Sequence, residues 1–269
     1  MKPLVAVVRF PGSNCEQETA LALESCGIRG RVYNWNDVGS AAGQGCSGWV
    51  LPGGFSFQDR VRAGAVAARE RIMDIVFGDA LKGKPVLGIC NGAQILVESG
   101  LVPGWTPGCI EASLAGNLAP GRTGYLSRWV FLRADSSGVE RCPWLSCLGG
   151  ETVPVPIAHA EGRFVFRDSD LDRAESLAVL KYVSPDGTPA DFWPDNPNGS
   201  ALAAAGVMNP RGNVLAMMPH PERALNLFHV PPNLPGPWGH LRRKLGTDPG
   251  PGPGAAFFKG LARYLEVQR

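Results

Sequence analysis

The chain has 269 residues, 26 of them basic and 24 acidic for a formal charge of +2, and 44% are hydrophobic. That is room for about one large or two small domains around a substantial core, and the near balance of charge, with no long block of either sign, excludes the electrostatic footprint of a nucleic-acid or membrane-surface binder. No run of about 18 apolar residues could span a bilayer, the seven scattered cysteines do not form a disulfide framework, and MKPLVAVVRFPG enters a strand-like pattern without a cleavage region, so the cytoplasm is the expected compartment.

Leu4 to Phe10 is a short apolar run without alternation, the pattern of a strand covered on both faces. Pro11 to Asn14 make a turn, and Ser13 with Glu16 has the capping-box spacing that opens a helix, which runs through Leu21 to Leu23 and stops at Gly27. Strands are expected over Arg29 to Tyr33 and Trp49 to Leu51, the second ending at Pro52-Gly53-Gly54. From Ala63 to Leu81 apolar residues recur at helical spacing, predicting one helix closed by Gly83. Pro85 to Cys90 is another buried-type strand, and a helix follows it to about Gly100.

This alternation predicts an open, mostly parallel α/β sheet with helices on both faces and its chemistry at the carboxyl ends of the strands. Beyond Val102 the texture changes to additional antiparallel strands: Arg128 to Leu132, Val153 to Ile157, Arg163 to Phe166, and a pair, Ala201 to Met208 with Asn213 to Met218. Val230 to Gly254 is rich in Pro and Gly and is expected to be irregular, and a final helix covers about Ala255 to Val267. The whole of 1–269 is expected to be a single domain.

Gly88-Ile89-Cys90-Asn91-Gly92 has the form of a strand-turn-helix elbow that presents a nucleophile. The glycines make room for the sharp turn, and the helix start turns its amides and partial positive charge toward the sulfur. Those amides could also hold a tetrahedral oxyanion, with a second donor from Gly53-Gly54. The plainer alternative is a buried structural cysteine. A base would tip the choice, and Met217-Met218-Pro219-His220-Pro221-Glu222-Arg223 supplies an imidazole at a strand end with a carboxylate two residues on. His159, near Glu161, is the rival base; His229 and His240 read as surface residues.

Five motifs in order, Phe10-Pro11-Gly12-Ser13-Asn14-Cys15, Pro52-Gly53-Gly54-Phe55-Ser56, Gly88 to Gln94, Ala158-His159-Ala160-Glu161-Gly162 and Met217 to Arg223, resemble the class I (triad) glutamine amidotransferases. Within that class they look like the glutaminase subunits of phosphoribosylformylglycinamidine (FGAM) synthase. The resemblance implies Cys90 as nucleophile, His220 as general base and acid, and Glu222 as its orienting carboxylate. It implies Gly54 and Asn91 as oxyanion-hole residues and a glutamine pocket built from Gly53, Phe55, Gln94, His159 and Glu161. It further implies L-glutamine as substrate, a PurL-type synthetase partner and a small PurS-type subunit, with no metal or cofactor on this chain and with ATP and magnesium on the synthetase. Two positions depart from the pattern: Gln58 and Ala160 stand where glycine is expected.

Other readings stay open on the residues alone: another triad amidotransferase subunit, a cysteine hydrolase of the same fold, or a thiol scaffold, the last leaving His220-Pro221-Glu222 unexplained. Gly78 to Pro85 nearly spells a phosphate-binding loop, but Pro85 stands where a hydroxyl is required and the segment follows a helix, so it is read as a helix end.

Overall fold

A computed structural model describes residues 2–43, 45–121, 124–246 and 250–267, with no side chains described for 41–43. The first half contains β1 (Leu4–Arg9), α1 (Glu16–Ser25), β2 (Arg29–Asn34), α2 (Val38–Gly43), β3 (Gly48–Leu51), α3 (Arg71–Leu81), β4 (Val86–Ile89), α4 (Asn91–Glu98), β5 (Ser113–Ala115) and β6 (Leu126–Ala134). The second contains α5 (Ser136–Arg141), β7 (Val153–His159), β8 (Arg163–Val165), α6 (Leu171–Glu175), β9 (Leu180–Val183), β10 (Ala204–Met208), β11 (Val214–Met217), α7 (Pro237–Leu245) and α8 (Ala255–Val267).

Among the described residues nine strands form one sheet in the order β2-β1-β3-β4-β11-β10-β9-β6-β7. From β2 to β11 the neighbours are parallel, and from β11 to β7 they are antiparallel, so the parallel block and its antiparallel extension meet at β11. Every residue of β3, β4, β10 and β11 is buried. Burial on both faces is why these strands read as continuous apolar runs instead of alternating ones. β5 and β8 pair apart, as a two-stranded antiparallel sheet.

Three expectations are corrected. Ser13 and Glu16 do not form a capping box: Cys15 is the N-cap residue, and the Ser13 hydroxyl accepts from the Phe10 amide at 3.0 Å. The helix expected over Ala63 to Leu81 is broken at Glu70, whose ψ of 145° is extended, leaving a short 3-10 turn before α3. There the backbone runs against α4, where a Cβ on Gly64 would lie 2.7 Å from the Gln94 carbonyl carbon. Tertiary packing overrides the local period.

The third correction concerns the tract Val230 to Gly254. It contains α7, nine residues long, opened by Pro237 and ending at the left-handed Gly246; residues 247–249 of the tract lie outside the described residues. Trp238 packs with Leu227, Val230 and Leu234 against Trp129 and Phe131, a small apolar cluster separate from the main core. The near phosphate-loop is the C-terminal end of α3, where Lys84 forms an ion pair with Asp79 at 2.8 Å.

Candidate active site

β4 and β11 are adjacent and parallel, with Ile89 opposite Met217, so the residues just beyond their carboxyl ends converge. Cys90 follows β4 directly, and its backbone (φ 52°, ψ −105°) is in a region that non-glycine residues avoid. The turn has no room to relax. A Cβ on Gly88 would lie 2.4 Å from the Gly92 carbonyl oxygen, and one on Gly92 would lie 1.9 Å from that of Leu51. The Cys90 amide donates to the Met217 carbonyl at 2.8 Å, which ties the elbow to the strand that leads to His220.

His220 and Glu222 lie beyond β11, with 2% and 3% of their surface exposed. His220 Nδ1 stands 2.6 Å from Glu222 Oε1. A carboxylate accepts, so Nδ1 carries the proton and Nε2 is the ring atom left to act as base. Among the described residues Nε2 has no hydrogen-bond partner. Burial disfavours the charged ring, but the Glu222 carboxylate, followed by the charge of Cys90, outweighs it and holds the His220 pKa well above the ordinary histidine value. The Cys90 thiol donates to the Ala158 carbonyl at 3.5 Å.

A small pocket opens beside Cys90, lined by Gly54, Phe55, Asp59, Gln94, His159 and Glu161 among others. Asn91, the first residue of α4, accepts from the Ser56 amide at 3.0 Å and donates to Gln94 Oε1 at 2.9 Å and Asp59 Oδ1 at 3.3 Å. Gln94 in turn donates to the Glu161 carbonyl at 2.7 Å. Gly54 is joined to Ser13 by a β-bridge. Phe55, at the rim, stands with its ring 6.5 Å from that of Tyr125.

Gly53 stands apart from this lining. A Cβ there would lie 2.6 Å from His220 Cε1, so its smallness seats the imidazole. His159 is a wall residue: burial, and then the charge of His220, push its pKa down to about 3, far too weak a base for the rival role. Gln58, the first departure from the family pattern, has φ 62°, a conformation that glycine adopts without strain. Ala160, the second, lies on the pocket wall.

Three contributors were not singled out from sequence. Cys15 lies behind the imidazole, its sulfur 3.9 Å from His220 Nδ1 and accepting from Arg223 Nη2 at 3.1 Å; the signal was its place in the Phe10 to Cys15 motif. Asp59 was marked only as the aspartate that follows Gln58 in the family segment, and Asn117 had no local signal, since its role depends on a contact 42 residues away in the chain. The donor atoms of Cys15, His220 and Glu222 lie within 4.8 Å of one another, a spacing that could suit a metal. The guanidinium of Arg223 already supplies a positive charge beside that sulfur, and His220 and Glu222 are bonded to each other.

The sequence profile of the CobB/CobQ-like glutamine amidotransferase domain matches residues 2–264. The chain is 42% identical over 274 residues to phosphoribosylformylglycinamidine synthase subunit PurQ of Methanothrix thermoacetophila, covering 98% of this chain and 99% of that one. It is 42% identical over 225 residues to the PurQ subunit of Pyrococcus furiosus, covering 83% and 90%. Among solved structures it superposes on a chain of PurLQS from Thermotoga maritima with a TM-score of 0.73 and 32% identity, covering 98% of this chain and 100% of that one. An elbow cysteine beside a buried histidine-glutamate pair is thus set in a chain that belongs to the CobB/CobQ-like glutamine amidotransferase family.

Proposed function

We propose that this chain is the glutaminase subunit of phosphoribosylformylglycinamidine synthase, a single cytoplasmic domain that hydrolyses L-glutamine to glutamate and ammonia. The observation that carries the chemistry is the strained Cys90 beside the buried His220–Glu222 pair. The Cys90 thiol gives its proton to His220 Nε2 as its sulfur attacks the side-chain amide carbon of glutamine. The backbone amides of Gly54 and Asn91 receive the oxyanion, and His220 delivers a proton to the departing ammonia. Water, activated by the same imidazole, then releases glutamate from the thioester. Gln94, Phe55, His159 and Glu161 form the glutamine pocket, and Gly53 and Glu222 keep His220 in register.

Ammonia passes to a PurL-type synthetase subunit that converts formylglycinamide ribonucleotide (FGAR) to formylglycinamidine ribonucleotide (FGAM), with a PurS-type subunit in the assembly. ATP and magnesium belong to the synthetase, and no cofactor is assigned to this chain. The assembly reading is supported by the likeness to a chain of a PurLQS complex. Cys90→Ser tests both halves at once in the assembled enzyme. Glutamine-dependent FGAM formation should fall by about a thousandfold or more, while formation from added ammonium salt should persist; retained glutamine-dependent activity would overturn the assignment.

A further inference from the structure

The loop from Phe10 to Cys15 takes no part in the chemistry of the triad, yet it is bound to both halves of the site. Its main chain is fixed to the segment that carries Gly54. The Asn14 and Cys15 amides both donate to the Gly53 carbonyl at 3.2 Å, the Phe55 amide donates to Gly12 at 2.9 Å, and the Phe57 amide donates to Pro11 at 2.7 Å. A Cβ on Gly12 would collide with the Phe55 carbonyl, so the two backbones are in direct contact. The loop ends at Cys15, which is fully buried with its sulfur beside the base.

The Cys15 thiol donates to Asn14 Oδ1 at 3.0 Å, accepts from Arg223 Nη2 at 3.1 Å and stands 3.9 Å from His220 Nδ1. With its hydrogen directed at Asn14, the sulfur has lone pairs left for the guanidinium and for the Nδ1–H edge of the imidazole. A Cβ on Gly53 would lie 3.1 Å from the sulfur and 2.6 Å from His220 Cε1, so Gly53 leaves the room in which the two meet. Burial raises the Cys15 pKa above the ordinary thiol value, so in neutral solution the group is a thiol and not a second nucleophile. A cysteine that only filled space would need none of these polar partners. We propose that Cys15 is a positioning residue of the triad: its sulfur holds the Nδ1 edge of His220 toward Glu222 while its amide holds Gly53, keeping the base in register with the oxyanion segment. This rests on the glutaminase reading above. Cys15 is not among the residues that line the pocket, so its effect falls on kcat and not on KM.

The groups that face the His220 ring are Cys90 from the elbow, Glu222 from its own turn and Cys15 ahead of α1. His159 of β7 and Tyr125 just before β6 are near enough to feel its charge, and Arg223 holds the sulfur. The test compares Cys15→Ala, Cys15→Val and Cys15→Ser with the wild type, each assembled with the synthetase partner; FGAM formation from ammonium salt reports correct assembly. Glutamine-dependent kcat should fall about ten- to a hundredfold in the two apolar variants, with KM for glutamine within about twofold, because the imidazole loses its support while the pocket is untouched. Their alkaline limb in the pH profile of kcat should move to lower pH, since an acceptor beside Nδ1 favours the protonated ring. Cys15→Ser, whose hydroxyl offers the same donor and acceptors, should keep kcat within about threefold of the wild type and restore the limb. A residue that merely packs gives the reverse order, because a buried hydroxyl is tolerated less well than a methyl group. Cys15→Ser no better than the apolar variants, or an unmoved limb in either of them, overturns the positioning role; having two keeps the test decisive should one fail to assemble. A wild type that does not hydrolyse glutamine overturns the glutaminase reading and the positioning role with it.

Discussion

The pKa of His220 is raised against the tendency of its burial. Burial favours the neutral imidazole, and the Glu222 carboxylate at 2.6 Å reverses that preference. Glu222→Gln keeps the shape and removes the charge, so burial should prevail and the alkaline limb of the pH-rate profile should move to lower pH. The accompanying loss in kcat should be about a hundred- to ten-thousandfold; an unmoved limb would show that Glu222 does not set the charge of His220. His159 is the opposite case, held neutral with a pKa of about 3. The unfolded chain takes up that proton near 6.5 and the folded chain only near 3, so stability is lost as pH falls through that window. Urea unfolding at about pH 7 and about pH 4.5 should show a smaller loss of midpoint on acidification for His159→Gln than for the wild type. Cys90, His220 and Glu222 were legible as candidates because an elbow needs glycine two residues away on either side and because a base and its carboxylate fall in one short tract. Asn117 was not, because nothing adjacent in sequence marks a residue whose partners are distant, and Cys15 was visible only as the last residue of a motif.

The elements that carry the triad are held from behind by a segment with no motif of its own. The amides of Gly252 and Gly254 donate to the carbonyls of Leu225 and Ala224, at 2.7 and 2.9 Å, and the Leu227 amide donates to Gly250 at 2.8 Å. The end of the Pro/Gly-rich tract is thereby laced to the turn that contains Glu222. A Cβ on Gly254 would lie 2.0 Å from the Pro221 carbonyl oxygen, so the contact requires glycine even though its φ is ordinary. Gly254→Ala should destabilise the fold by about 1–3 kcal/mol and reduce glutaminase kcat in the assembled enzyme, since the turn moves with it. Gly116→Ala, where a Cβ meets nothing within 4 Å, is the control. Thermal melts alongside the assay check this; normal kcat in a correctly folded Gly254→Ala would show that the tract does not position the turn. The abundance of Pro and Gly signalled irregular chain here, yet α7 forms because Pro237 suits a first helical turn and because Trp238 has an apolar cluster to join. The same logic in reverse applies to the segment before α3, which approaches α4 closely at Gly64 and leaves the helical path at Glu70 in spite of its helical period.

At the scale of the molecule, the chain places its pocket where parallel sheets place their sites, beyond the carboxyl ends of two adjacent strands. Among the described residues no helix is long and apolar enough to cross a membrane. Four non-glycine residues of the 57–61 segment at the pocket edge have positive φ, a conformation that persists only where surrounding contacts enforce it. As part of an assembly, the isolated chain should turn over glutamine slowly and accelerate at least about tenfold when its synthetase partner is added. Full-rate hydrolysis by the chain alone would refute this.

The amino-acid sequence by itself determined the class of fold and the chemistry, since apolar period, chain-breaking glycines and the cysteine, histidine and glutamate motifs are local properties that need no partner to be read. Only the tertiary structure decided that β11 brings His220 to the elbow from more than a hundred residues away, that Gly53 seats the imidazole, and that His159 lies on the pocket wall. These depend on burial and on contacts across the sheet. The physical reason is that charge state and unpaired polar atoms are set by what surrounds a group, which a residue's own neighbours in sequence do not specify.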